Sequence, residues 1–455
     1  MTAPTDIDRY VEAHRQEHLD RLFAYLRIPG ISAHGAGMAE SAEHALGLLR
    51  GAGLNARLCP TVGAPFVYGE ALVDPARPTL LIYGHYDVQP ADPLDLWHSP
   101  PFEPTIRNGR IYARGVADNR GQHLAHILGL EAWRDCRGTL PLNVKVLLEG
   151  EEEVGSPRMP GFVADSRDLL RADVCVISDG GVDDSGRSVI RFGVRGVLSF
   201  ELRARGAARD LHSGHWGEIA PNPIWTLVRL LATMKNGAGV VTIDGFGETV
   251  APLSAEERAA LAAMEGAQDE ALRSIGLSEM QQHPARTLGE RRAGWPSFTI
   301  SGLHGGYGGP GSKTVLPCEA FAKCDIRLVP DQRADDVLAM VRRHVARHAP
   351  GVEVISHGAM EPSKTPLDSP YAAPVRRAIA RVDGTEPMLL PAMGGSLPEY
   401  PFTHTLGIPC LGVPFANADE ANHAPNENME VKRFHRGIRI AAALLEEIAA
   451  SSPSS

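Results

Sequence analysis

Apolar positions recur along the chain with two different spacings. Leu19, Leu22, Phe23 and Leu26 repeat at i, i+3, i+4 and i+7, which predicts an amphipathic helix near the start. Short apolar runs follow at residues 79–83, 142–148 and 174–177. Each has the length of a strand, and the last two are rich in β-branched residues. Between the first two runs, Leu124, Ile127 and Leu128 share one helix face. Strands alternating with helices predict a parallel α/β sheet.

From about residue 196 the pattern changes. Residues 196–204, 298–300, 320–329 and 352–355 read as strands. Ile224, Leu227, Val228 and Leu231 define one helix face, and Val337, Leu338, Val341 and Val345 another. The order β-α-β-β-α-β is the ferredoxin-like unit. A helix-rich stretch near 244–292, containing AEERAALAAMEGAQDEALRSIG, interrupts it. After about residue 363 the α/β pattern resumes. Val375 and Ile379 lie on a helix, 410–413 reads as a strand, and Ala441, Leu444, Leu445 and Ile448 form a closing helix. The expectation is a parallel-sheet α/β catalytic domain of residues 1–195 and 363–455. It is split by an inserted ferredoxin-like α+β domain of residues 196–362, itself carrying the helical insertion.

Composition narrows the class. The 455 residues carry 45 Lys+Arg against 55 Asp+Glu, a net charge of −10, with 43% hydrophobic and 22% charged residues. These are globular values and exclude wholesale disorder. The acidic balance argues against nucleic acid as a partner, because phosphate binding needs a basic footprint. No run approaches the roughly 18 apolar residues of a membrane span. The opening MTAPTDIDRYVEAHRQ lacks the basic and apolar regions of a secretory signal. The six cysteines are scattered with no C-x-x-C, which disfavours a disulfide framework or a cysteine zinc site. A cytoplasmic protein is the expectation.

The chemistry gathers at strand ends. The run 79–83 leads into Gly84, His85, Tyr86 and Asp87; LNVKVLLEG leads into Glu151, Glu152 and Glu153; and VCVIS leads into Asp179. In an open parallel sheet, ligands bind beyond the carboxyl ends of the strands, so these clusters face one crevice. Asp118 precedes the Leu124 helix, and His423 lies between the 410–413 strand and the last helix. Two imidazoles and three carboxylates suit zinc, manganese or cobalt. Five donors exceed one tetrahedral zinc, whereas one bridging carboxylate lets two metals share the set. Taken singly, His85-x-Asp87 reads better as a turn, the Glu run as a solvated face, and Asp118 as a helix cap. Taken together, such a convergence of buried acids is costly without a cation.

GHYDVQP (84–90), ARGVADNRG (113–121), LEGEEEVGS (148–156) and ISDGG (177–181) resemble the motifs of the co-catalytic zinc peptidases. That family includes carnosinase-type dipeptidases, carboxypeptidase G, aminoacylase and succinyl-diaminopimelate desuccinylase. DLHSGHWG (210–217), KTVLP (313–317) and the long insertion are most similar to the carnosinase-type branch. The resemblance covers nearly the whole chain and implies two divalent metals, zinc first, with manganese or cobalt as alternatives. It implies that His85 and Asp179 hold one metal, Glu153 and His423 the other, and that Asp118 bridges them. Asp87 would orient His85, and Glu152 would be the general base. Arg120 and Asn119 depart from the Lys and Asp that many relatives carry there. The resemblance further implies a homodimer through the lid domain, with His212 reaching across it to supply an oxyanion donor in the partner's active site. It places Arg327 at a substrate carboxylate, with Thr314, Ser396 and Gly395 adding contacts.

The reaction implied is hydrolysis of an amide in a dipeptide or related small substrate with a free carboxylate. The alternatives are an N-acyl-amino-acid deacylase of the same chemistry and a non-catalytic binding protein on the same fold. Two features mislead. The 306–311 stretch fits G-x-G-x-x-G but lacks a following helix, and His123 and His126 share a helix face that reads as packing rather than metal binding.

Overall fold

The apolar run after residue 78 forms the strand Thr79–His85, buried along almost its whole length. In the computed structural model of the chain, residues 5–263, 272–273, 275–281, 283 and 287–451 are described. The chain divides into two compact units. One comprises Met1–Gly193, Lys364–Pro391 and Pro398–Ser455, and the other Val194–Ser363 and Ala392–Leu397.

The first unit is built on an eight-stranded sheet. Its order is Asn55–Cys59, Phe66–Ala71, Asn143–Glu149, Thr79–His85, Val174–Ile177, Cys410–Gly412, Val189–Arg191 and Met388–Leu390. The four strands from Asn143–Glu149 to Cys410–Gly412 run parallel. Three of them, Asn143–Glu149, Val174–Ile177 and Cys410–Gly412, are buried at every position, as expected of strands covered on both faces. The sheet is mixed rather than wholly parallel. Asn55–Cys59 pairs antiparallel with Phe66–Ala71, which pairs antiparallel with Asn143–Glu149. The apolar pattern did not announce this hairpin, because NARLC is half polar and FVYGEA contains a glycine.

Helices cover the sheet. Leu19, Leu22 and Leu26 are buried on Arg15–Leu26, as their spacing predicts. Arg120–Arg137 packs against Val431–Ala450, and Gly129 sets the distance between them. A Cβ there would stand 2.7 Å from Ala441 Cβ and 3.0 Å from the Ile438 carbonyl. Val431–Ala450 also packs on Ala372–Asp383, whose Val375 and Ile379 are buried. One continuous apolar core joins these elements.

The second unit has its own core. Its antiparallel sheet runs Ser297–Gly305, Glu319–Leu328, Gly196–Arg205, Glu353–Met360. The helices Pro223–Met234 and Ala334–His348 complete the β-α-β-β-α-β order. Leu227 and Leu231 are buried, but Val228 is exposed beside Trp225, so the apolar face of that helix is narrower than its spacing predicts. Within the helical insertion, Ala255–Ala262 and Leu288–Ala293 are helices, each opened by a capping box. Residues 264–271, 274, 282 and 284–286 of that stretch lie outside the described residues. No helix among the described residues is long and apolar enough to cross a membrane.

Candidate metal centre

Strand register decides which side chains meet. His85 lies level with Glu149 on the next strand, and Tyr83 and Gly412 both lie level with Ile177. The chain therefore leaves one edge of the sheet four times: at His85, before Glu151–Glu153, before Asp179, and before the loop bearing His423. Asp118 enters from the loop before Arg120–Arg137, through a cis Asp118–Asn119 peptide. Three residues of the last loop, Ala421, His423 and Asn426, have left-handed backbones (φ 57°, 56° and 66°). Such outliers cluster where a fold must aim a side chain.

All five predicted donors converge. His85 Nε2 lies 3.0 Å from Asp118 Oδ1 and 3.4 Å from Asp179 Oδ2. His423 Nε2 lies 3.1 Å from Asp118 Oδ2 and 3.1 Å from Glu153 Oε2. The result is two three-residue groups of donors that share Asp118, each group's ligand atoms lying within 4.8 Å of one another.

This donor set fits divalent cations on a specific ground. His85 Nδ1 faces the Asp87 carbonyl at 3.1 Å and the Asp87 carboxylate at 3.3 Å, so the neutral ring keeps its proton there. The lone pair on Nε2 then points at two carboxylates, and this buried atom has no hydrogen-bond partner. A cation in that position satisfies all three groups.

The titration behaviour expresses the same crowding. Burial opposes protonation of His85, but Asp118, Asp179 and Asp87 lift its pKa well above the usual imidazole range. His423 donates to Asp118 and Glu153 and is raised to about 10. Burial works against ionising Asp118, yet the two histidines hold its carboxyl well below the usual range. Burial and the Asp118 charge push Glu153 and Asp179 upward. Glu152 is pushed well above the usual carboxylate range by burial and, against the pull of His85, by Asp179, Glu153 and Asp118.

Asp87 supports more than His85. Its carboxylate also accepts the backbone N–H groups of Glu152 (3.3 Å) and Glu153 (3.1 Å), pinning the glutamate turn to the histidine strand. His123 and His126 are buried packing histidines, bonded to Asn119 and Ser178 and pushed down by burial. Arg120 is fully buried and donates to the carbonyls of Tyr25, Ile28, Pro29 and Tyr86 and to Ser41.

The remaining predicted residues belong to the second unit, where they form two pairs. His212 accepts from the Gly214 N–H (3.0 Å) and faces Thr314 Oγ1 at 3.4 Å. Arg327 donates to Ser396 Oγ at 2.9 Å, and the Gly395 carbonyl accepts from Arg195 N–H at 3.1 Å.

The sequence profile described as peptidase family M20/M25/M40 matches residues 81–447, a span that contains every donor described above. The chain belongs to this family. Among relatives of this M20 peptidase, the Cys-Gly metallodipeptidase of Schizosaccharomyces pombe is 30% identical over 400 residues, covering 86% of this chain and 84% of the relative. The human beta-Ala-His dipeptidase is 30% identical, covering 85% and 78%. Among solved structures, an M20 family metallo-carboxypeptidase from Sulfolobus solfataricus superposes with a TM-score of 0.90 at 34% identity, covering 95% of this chain and 99% of that one. Human carnosine dipeptidase 1 superposes with a TM-score of 0.80 at 28% identity, covering 98% and 99%. The split α/β fold and the metallopeptidase class expected from the sequence are borne out.

Sequence reasoning missed the residues that hold the donors. Asn119 Oδ1 accepts from His85 N–H, and its amide donates to the Ser178 carbonyl. Arg191 donates to the Asp179 carbonyl at 2.7 Å. Gln89 donates to Glu153 Oε2 at 3.0 Å. Glu427, four residues past His423, had a signal available, a lone acid in the NHAPNENM loop.

Proposed function

We propose that this M20 peptidase is a metal-dependent dipeptidase, hydrolysing an amide bond next to a free carboxylate. The observation that carries this is the sharing of Asp118, one oxygen toward His85 and the other toward His423. We assign His85 and Asp179 to one divalent cation, Glu153 and His423 to the second, and Asp118 to both. Zinc is the first choice, with manganese or cobalt compatible with the same donors. When bound, the cations polarise the scissile carbonyl and acidify the attacking water.

The chain's own residues do the rest. Glu152 is the general base: its carboxylate takes the proton of the attacking water and delivers it to the leaving amine. Burial raises its pKa, and compensating the surrounding negative charge lowers it again, so the carboxylate form becomes available for that task. Asp87 fixes the tautomer of His85. His212 reaches across the homodimer and donates to the oxyanion that develops on the carbonyl in the partner subunit's site, with Thr314 beside it. Arg327, backed by Ser396 and Gly395, receives the substrate carboxylate in its planar fork.

The names of the two relatives, a Cys-Gly and a beta-Ala-His dipeptidase, support a small peptide over an acylated amino acid. Residues 1–195 and 363–455 are assigned to catalysis, and 196–362 to a lid that also forms a homodimer. Exposed Trp225 and Val228 on one helix, and exposed Ile300 and Leu303 on an edge strand, support that second role. Six unpaired thiols suit the cytoplasm.

The test is a panel of dipeptides beside acetylated amino acids, using chelator-stripped protein with zinc or manganese restored. Dipeptide cleavage is expected to vanish on stripping and return with metal. Cleavage confined to the acetylated set would replace the dipeptidase with a deacylase.

A further inference from the structure

The donors differ in how they are held. His85 ends a strand, and Asp179 follows one, with its carbonyl tied to Arg191. His423 has no such support. It sits on a loop with a half-exposed ring and a left-handed backbone. Asn426 ties this loop to the His98 N–H and the Leu96 carbonyl at the surface, and its buried anchor is Glu427, whose side chain is fully buried.

Every oxygen of Glu427 is engaged. Oε2 accepts from Arg114 Nη1 at 2.8 Å and from Gly115 N–H at 2.9 Å. Oε1 accepts from Ala117 N–H at 2.9 Å and from Asp118 N–H at 3.0 Å. Its backbone carbonyl accepts from Ala113 N–H. Arg114 is equally buried and donates in turn to the carbonyls of Pro90 (3.2 Å) and Ala424 (3.4 Å). One buried ion pair thus ties together the 87–90 turn, the 113–118 loop that presents Asp118, and the 423–427 loop that presents His423. A carboxylate that meets one arm of a guanidinium and three backbone N–H groups, while the other arm spans two carbonyls, is a geometry that few side chains reproduce.

We propose that Glu427 and Arg114 are positioning residues that build the second cation site by fixing His423 against Asp118. This rests on the two-cation reading above. The first site depends on the pair only through the shared Asp118, because its other two donors, His85 and Asp179, are placed by strand register. The pair acts through backbone, so weakening it shifts a ligand without removing one, and supporting groups of this kind are worth about 10–100-fold in metal affinity.

The experiment is a calorimetric titration of chelator-stripped full-length protein with Zn²⁺ alone, comparing wild type, Glu427→Gln, Arg114→Lys and, as a reference for loss of the second site, His423→Ala. Wild type is expected to bind two ions. Glu427→Gln should follow the reference: one ion weakened at least about tenfold, the other, which feels the change only through Asp118, weakened less. Arg114→Lys keeps the charge but loses the fork, and should weaken the same ion most. Two wild-type affinities in Glu427→Gln would overturn the proposal, as would equal weakening of both ions. Should Glu427→Gln not fold by circular dichroism, Arg114→Lys decides by the same signature. If neither folds, the pair serves the whole unit and site-selective positioning is refuted. A wild type that binds fewer than two ions would instead remove the underlying two-cation reading.

Discussion

Asp118 and Glu152 show how one environment assigns opposite duties to two carboxyls. Asp118 receives two imidazoles and is held ionised, whereas Glu152 lies among negative charge and is driven toward protonation. Glu152→Gln keeps the size and hydrogen-bonding shape but cannot take a proton. It is expected to retain both cations by elemental analysis while losing about 10²–10⁴-fold in turnover. A fully active variant would move the base elsewhere, with Glu151 the first candidate. At this scale His85, Glu153 and Asp179 were legible because each lies where an apolar run marks a strand end, whereas Asp118 before its helix and His423 in its loop were legible only as members of the set they complete. Asp87 was legible only as the partner of His85; its hold on the Glu152 and Glu153 amides was not. Glu427, Asn119 and Arg191 escaped for the same reason. They act on backbone N–H and C=O groups, which every residue carries and no spacing reveals.

Among the elements, the strands buried on both faces and the amphipathic helices were readable from pattern alone, since burial demands continuous or periodic apolar residues. The 55–71 hairpin was not, because its outer strand alternates exposed and buried positions with charged Arg57 between them. Nor did the spacing reveal that Cys410–Gly412 would lodge between Val174–Ile177 and Val189–Arg191, more than two hundred positions earlier in sequence. Helix contact is set by small residues as much as large ones. Gly129 admits Ala441 at a distance where a side chain has no room. Gly129→Val should therefore cost about 1–3 kcal/mol by overpacking, read as a lower urea midpoint with turnover per folded molecule unchanged. An unmoved midpoint would mean the two helices separate without penalty.

Across the whole molecule, buried neutral histidines link stability to acidity. Burial, with His435 and His14 nearby, pushes His18 down to about 4, and burial pushes His126 down to about 3. His44 and His435 are lowered as well. An unfolded histidine titrates near about 6.5, so below that value the unfolded chain takes up protons that the folded chain refuses. Their contribution is complete above about pH 6.5 and erodes as pH falls toward 4, by up to about 1.4 kcal/mol per pH unit for each histidine. The raised groups of the donor cluster act in the opposite sense, so the contribution of one ring is read as a difference: between about pH 7 and pH 5 the denaturant midpoint of a His18→Gln variant should fall less, or rise more, than that of the wild type. Parallel profiles would show that this ring is protonated in place. The insertion of the second unit into the first also has a temporal consequence. During synthesis, the strand Cys410–Gly412 and the loop carrying His423 emerge from the ribosome after every other donor, yet one belongs inside the sheet and the other completes the donor set. A nascent chain of four hundred residues therefore holds His85, Asp118, Glu153 and Asp179 with an inner strand of their sheet still missing, and the second group around Asp118 waits for the loop that follows.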